Sequence, residues 1–178
     1  MLYTHSYSSP LGELTLAADE QALTGLWFVG QKYDADTLQG DHEEKSLPIF
    51  DQTAQWLDIY FFGKEPDFMP PLSLNGSPFQ TAVWEILKEI PYGRIRTYGE
   101  IAAEIARQRG IPRMSAQAVG SAVGHNPISI LVPCHRVVGA NGSLTGYAGG
   151  MDRKAELLKL EKADMSGLFI PQKAEHLM

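Results

Sequence analysis

Cysteine is nearly missing from this chain: Cys134 is the only one in 178 residues, so no disulfide can form within it. The five histidines show neither CxxC pairs nor zinc-type clustering around them, so no structural metal and no other cofactor is expected. No apolar run approaches the ~18 residues that would cross a bilayer. The opening stretch MLYTHSYSS also lacks the basic and apolar regions of a secretion signal, and a cytoplasmic protein without a membrane partner is expected. Positive charge is scarce at first, since residues 1–76 hold Lys32, Lys45 and Lys64 against twelve carboxylates, a net of −9. Residues 77–165 reverse the balance with eleven Lys and Arg against eight carboxylates, a net of +3. The overall −6 argues against a nucleic-acid partner, but its uneven division leaves the second part open to one. A net of +3 is equally an ordinary solvated surface.

With 44% hydrophobic and 20% charged residues the chain can bury a core. Residues 2–8, 12–18 and 22–29 read as strands separated by turn chemistry at Ser9-Pro10-Leu11-Gly12 and Asp19-Glu20-Gln21, which predicts a three-stranded antiparallel meander. Residues 33–45 are polar without period and read as a surface loop. Phe50, Ala54, Leu57, Ile59, Tyr60 and Phe61 suit a helix over 47–62 that docks on the sheet and stops at Gly63. The aromatic run Tyr60-Phe61-Phe62 reads as helix-on-sheet core rather than a binding patch. Residues 64–78 carry four of the eleven prolines and mark a boundary near 70–76. The expected fold is α/β of the α+β kind. Residues 1–74 form a small three-stranded sheet with a helix, 75–165 a mainly helical, winged-helix-like domain containing a helix-turn-helix, and 166–178 a frayed tail.

In the second part Ser77 or Thr81 opens a helix that buries Phe79, Val83, Trp84, Ile86, Leu87 and Ile90 and ends before Pro91-Tyr92-Gly93. Thr97 with Glu100 forms a capping box for a helix over 98–108, and after a loop Ser115 caps another over 115–124. Two short helices joined by a polar turn suggest a helix-turn-helix. The second reads SAQAVGSAVG, with no charge and Gln117 as its one long polar side chain. A major-groove reader needs groups that reach base edges. Small residues instead permit a close backbone approach, which suits sequence-independent minor-groove contact and suits tight packing against a core equally well.

The chain is organised around Asn126 to Gly150, NPISILVPCHRVVGANGSLTGYAGG. An apolar, strand-like run, Ile128 and Ile130 to Val132, stops at Pro133 and is followed at once by Cys134, His135 and Arg136. A lone cysteine is by itself a small hydrophobe. Here a nucleophile, a base and a fixed positive charge meet at one chain reversal. A free thiol, with a pKa of about 8.5, needs such a base or field to act as a nucleophile. At an irregular turn the Cys134–His135 contact is expected to run through a water. Asp152 opens a helix to about Lys162 with an apolar stripe of Met151, Ala155, Leu158 and the stem of Lys162. Glu161 flanks this stripe and needs a partner, either His135 or, if exposed, Lys154 or Lys162.

The PCHRVV segment, Asn126 eight residues before the cysteine and the GYAGG loop closely resemble the O6-alkylguanine-DNA alkyltransferases, or methylated-DNA–protein-cysteine methyltransferases, over about residues 9–162. The resemblance implies a DNA repair protein that moves the alkyl group of a flipped-out O6-alkylguanine irreversibly onto Cys134. It implies that Glu161 orients His135, which takes the Cys134 proton through a water, and that Asn126 braces the turn. By the same resemblance Tyr98 is expected to supply a proton to the base, and Val137, Tyr147 and Ala148 to line the guanine pocket. Ser115, Ala116, Gln117, Ala118 and Arg113 are expected to contact double-stranded DNA, with the helix entering the minor groove and the protein acting as a monomer. Where many relatives insert an arginine, seventeen residues before the cysteine, this chain has Gln117. A thioether does not hydrolyse, so one event should spend the protein. The alternatives are a non-catalytic lesion-binding relative, a kind in which the cysteine is replaced, and a Cys-His hydrolase or acyltransferase using Cys134, His135 and Glu161.

Overall fold

The three apolar runs at the start form strands β1 (Leu2–Ser9), β2 (Gly12–Ala18) and β3 (Leu23–Phe28) in a computed structural model that describes residues 1–32 and 42–171. They pair antiparallel as a meander, Ser9 opposite Gly12 at the first turn and Leu16 opposite Leu26 across the second. A short fourth strand, β4 (His42–Glu44), adds in parallel to β1, giving the order β3-β2-β1-β4. This strand lies within the stretch read as a loop, whose residues 33–41 fall outside the described residues. Its three exposed polar residues offer no apolar alternation to read.

The far edge of the sheet decides where the rest of the chain goes. All six residues of β3 are buried, although it is an edge strand. Two later segments complete its hydrogen bonding. Leu23 donates to Pro71 O at 2.9 Å and accepts from Ser73 at 2.8 Å, while Leu26 donates to Pro127 O at 2.9 Å and accepts from Ser129 at 2.9 Å. An open edge has to be covered or paired, and here the covering segments are the proline-rich connection and the stretch leading into Cys134. Helix α1 (Pro48–Phe61), with proline in its first turn, buries Phe50, Trp56, Leu57 and Tyr60.

The helices that follow begin where side-chain caps specify. α2 (Pro78–Lys88) starts after a Ser77–Gln80 capping box, and its Trp84 indole donates to Ala122 O at 2.8 Å. α3 (Tyr98–Arg109) starts after the Thr97–Glu100 box and ends at Gly110, which has φ +64°. α4 (Ala116–Gly124) is capped by Ser115 and buries Val119, Ala122 and Val123. β5 (Arg96–Thr97) and β6 (Val137–Val138) form a two-residue parallel pair, and α5 (Met151–Leu160) packs beside Val138 and Leu144. One buried cluster joins residues from both parts of the chain, from Leu16 and Phe28 to Ile101, Val132 and Cys134.

Two expectations change. The run from Ile128 to Val132 is not a strand: it makes a single bridge, Ile128 to Leu26, and then turns, with Ile130 at φ +70°. These residues are apolar because they are buried, and an apolar run alone does not separate an extended segment from a packed turn. Lys162 does not contribute its stem to the α5 stripe, because the helix ends at Leu160 and Lys162 lies exposed at φ +61°. In the segment read as a tail, Phe169 pairs with the 142–144 loop, accepting from Leu144 at 2.9 Å and donating to Gly142 O at 3.1 Å.

The Thr97 box fixes the first residue of α3. Thr97→Ala should therefore lower stability by about 1 kcal/mol, with the loss read as a reduced urea midpoint at unchanged slope.

Candidate active site

Asn126, just beyond α4, sets the turn that carries the cysteine. Its Nδ2 donates to Ile128 O at 3.1 Å and Val132 O at 2.8 Å, and its Oδ1 accepts from Ile128 N at 3.1 Å. The 3-10 turn Cys134–Arg136 follows, all three residues buried, with the Cys134 residue 4% exposed. A β-branched residue at positive φ is uncommon, so the Ile130 turn is held by its surroundings.

Glu161, the C-cap of α5, is the acceptor on which this turn converges. Its Oε2 accepts from His135 Nε2 at 2.6 Å, the Tyr60 hydroxyl at 2.6 Å and Arg136 Nη2 at 3.1 Å. Its Oε1 accepts from Arg136 Nε at 2.8 Å and Gly93 N at 3.0 Å. Burial alone would raise the Glu161 carboxyl, but hydrogen bonds and charge from His135 and Arg136 outweigh it and hold the group well below the usual carboxylate range. Burial pushes the His135 pKa down against the pull of Glu161, which favours a neutral ring. A neutral ring that donates from Nε2 keeps a lone pair on Nδ1. Among the described residues Nδ1 has no hydrogen-bond partner.

The sulfur stands among groups of opposing effect. Burial raises the thiol pKa, while the Asn126 amide, Lys154 and the backbone N–H groups of Cys134 and His135 favour the thiolate. Lys154 is itself fully buried, its Nζ donating to Thr145 O at 3.0 Å and to the Tyr98 hydroxyl at 3.5 Å, and burial brings its pKa down to about 8. Tyr98 donates in turn to Thr145 O at 2.9 Å. Gly146 sits at φ +93° where a Cβ would strike the Tyr98 hydroxyl, so the tyrosine and the 145–150 loop fit only with glycine there.

Beside this site lies a cleft of about 510 Å³ between the outer face of α4 (Gln117, Gly120, Ser121, Gly124) and the loop carrying Tyr147 and Ala148, with Lys32 at its rim. The fold thus brings together Cys134, His135, Glu161 and Asn126, and sets Tyr98 on the Lys154 side of the thiol. Tyr147 and Ala148 line the cleft, whereas Val137 is fully buried in β6 and outside that lining. Ser115, Ala116 and Gln117 are exposed and Ala118 half-buried. Arg113 faces a separate hollow between α3 and α4 with Arg107 and Ala116. Three contributors went unread in the sequence: the Tyr60 hydroxyl, the double grip of Arg136 on the carboxylate, and the burial of Lys154. For Lys154 there was a signal, because 154, 158 and 161 follow the i, i+4, i+7 spacing of one helix face.

A buried cysteine–histidine–carboxylate constellation beside the short helices α3 and α4 defines the class: a thiol site built on a mainly helical frame. Comparison with known proteins then gives the family. Residues 2–74 match the 6-O-methylguanine DNA methyltransferase, ribonuclease-like domain, and residues 78–163 the DNA binding domain of the same name. The methylated-DNA–protein-cysteine methyltransferase of Mycobacterium tuberculosis is 45% identical over 163 residues, covering 92% of this chain and 94% of its own. That of Methanosarcina acetivorans is 46% identical over 160 residues, covering 90% and 98%. The crystal structure of the Mycobacterium tuberculosis OGT protein in complex with DNA has a TM-score of 0.77 at 45% identity, covering 90% of this chain and 92% of that one. The chain belongs to the O6-methylguanine-DNA methyltransferase family.

Glu161 is ionised in the folded protein far below the pH, about 4.3, at which the unfolded carboxyl protonates. Its contribution is complete above that pH, declines as pH falls below it and is gone once the folded carboxyl protonates. Glu161→Gln leaves buried Arg136 uncompensated and should cost about 3–5 kcal/mol at neutral pH. The difference from wild type should shrink below about pH 4, as urea titrations at both pH values will show.

Proposed function

We propose that this chain is a DNA repair protein, a methylated-DNA–protein-cysteine methyltransferase, that transfers the alkyl group of O6-alkylguanine in DNA to its own Cys134 and is spent by one event. The observation that carries this reading is the 2.6 Å hydrogen bond of His135 Nε2 to Glu161, which leaves Nδ1 without a partner among the described residues and, with burial favouring the neutral ring, able to accept a proton. His135 Nδ1 takes the thiol proton through a water. The sulfur attacks the alkyl carbon, the S–C bond forms as the C–O6 bond breaks, and the electron pair passes to the guanine, which takes a proton from Tyr98. Burial raises the thiol pKa, so the sulfur depends on a base to give up its proton. Asn126 holds the turn in place. The product is a thioether, which water does not cleave.

The duplex is engaged by α4 along the minor groove, with Ser115, Ala116, Gln117 and Ala118 against it and Arg113 on its flank. Two observations support this: the exposed start of the helix, and the bare face of Gly120, Ser121 and Gly124 that opens into the cleft. The flipped base enters that cleft against Tyr147 and Ala148. Contact is largely independent of sequence, and the protein acts as a monomer in the cytoplasm, without metal or cofactor. Residues 1–74 and 75–165 act as supporting and DNA-binding parts.

Intact mass after incubation with an O6-methylguanine duplex should rise by one methylene, in stoichiometric amount, and stay unchanged for Cys134→Ser. An unchanged wild-type mass despite DNA binding would leave a lesion-binding protein without transfer, and continued turnover a hydrolase. Gln117→Arg adds a charge and a stacking plane at the base-flipping position. It should bind duplex DNA at least as tightly as wild type in a fluorescence titration, and a clear loss would remove Gln117 from the interface.

A further inference from the structure

Among the described residues, the acidic first part of the chain contributes one side-chain group to the carboxylate that holds His135, the hydroxyl of Tyr60. Tyr60 lies in the last turn of α1 and is fully buried. Its ring is fixed by packing, stacked on Trp56 at 5.3 Å and edge-on to Phe61 at 5.4 Å and Tyr92 at 6.2 Å. A phenylalanine would fill the same ring space, so packing does not account for the hydroxyl. That hydroxyl donates at 2.6 Å to Glu161 Oε2, the same oxygen that holds His135 Nε2 at 2.6 Å, and lies 3.5 Å from Nε2 itself.

We propose that Tyr60 is a positioning residue for alkyl transfer: by taking up part of the Glu161 charge, its hydroxyl lets the carboxylate hold His135 in the Nε2–H tautomer without drawing a second proton onto the ring. This rests on the acceptor reading of Cys134 given above. A carboxylate stripped of one donor interacts more strongly with those that remain. Without the hydroxyl, Oε2 would stabilise the imidazolium more, and His135 would keep its Nδ1 proton to higher pH. A protonated Nδ1 cannot accept the thiol proton. The other groups around the pair are Arg136 on both carboxylate oxygens, the Gly93 N–H, and Lys154, Tyr92, Tyr147 and Cys134 nearby. A change at the Tyr60 hydroxyl leaves each of these in place. Residues 1–74 would then be part of the proton-transfer apparatus and more than a scaffold.

The test is the single-turnover rate of methyl transfer from an O6-methylguanine duplex as a function of pH. Three proteins are compared: wild type, Tyr60→Phe, and the chain carrying 3-fluorotyrosine at position 60, a stronger donor of nearly the same shape. Tyr60→Phe should transfer about 3–10-fold more slowly on the acid side of the profile, with the plateau altered less than about twofold. The fluorinated chain should move the acid limb the opposite way, to lower pH. An equal loss for Tyr60→Phe at every pH, or a limb that fluorination does not move, would overturn the proposal. If Tyr60→Phe does not fold, the direction of the fluorinated limb decides alone. A wild-type protein that gains no methyl sinks the acceptor reading itself, whereas methyl gain with a profile indifferent to Tyr60 sinks only this inference.

Discussion

An ionised carboxylate taken out of water costs several kcal/mol unless donors surround it, and Glu161 collects its donors from three separate stretches of chain. Tyr60 comes from the end of α1, Gly93 from the turn after α2, and His135 and Arg136 from the turn that carries Cys134. None of these can shift without leaving the charge short of a partner. Glu161 is thus where the first helix, the last helix and the cysteine turn are held in one arrangement. The same donors hold the Glu161 carboxyl well below the usual carboxylate range, while burial lowers the pKa of the His135 ring bonded to it.

A second constraint acts from the other side of the cysteine. The edge of β3 takes up residues 127–129 by backbone hydrogen bonds, and Asn126 closes the following turn with three more of its own. Between these ties the chain reverses through Ile130 in the left-handed region. Such a conformation costs on the order of 1–3 kcal/mol and persists where the surroundings over-determine it. The sheet of the first part therefore fixes the turn that carries the sulfur, and the α5 end supplies the carboxylate that His135 hydrogen-bonds. Burial raises the thiol pKa, while Lys154 and several N–H groups favour its anion.

Much of this was legible beforehand, and for identifiable reasons. Thr97 and Ser115 marked helix starts, and Ser77 was one of two candidates for the first, because capping is a short-range interaction written in adjacent residues. The meander was legible because its turns are local. The pairing of His135 with Glu161, residues 26 apart in sequence, was reached only as a need for a partner together with a family resemblance. Ile128 to Val132 misled because burial and extension leave the same apolar mark. β4 left no mark at all, its exposed side chains having no buried face to alternate with. Tyr60 was read correctly as core and incompletely, since a ring can pack while its hydroxyl hydrogen-bonds.

The residues alone determined the chemistry available: one thiol, a base and a fixed charge beside it, a carboxylate that needed a partner, and a helix of small residues without charge. They could do so because each of these properties belongs to a side chain or to its immediate neighbours. Tertiary structure decided which groups meet. It buried Lys154 near the thiol rather than at the surface, turned Glu161 inward at the end of its helix, brought Tyr60 from the acidic part onto the same oxygen as His135, and opened the cleft along α4. Those outcomes depend on balancing buried charge and on covering an open sheet edge, both settled by contacts between residues far apart in the chain.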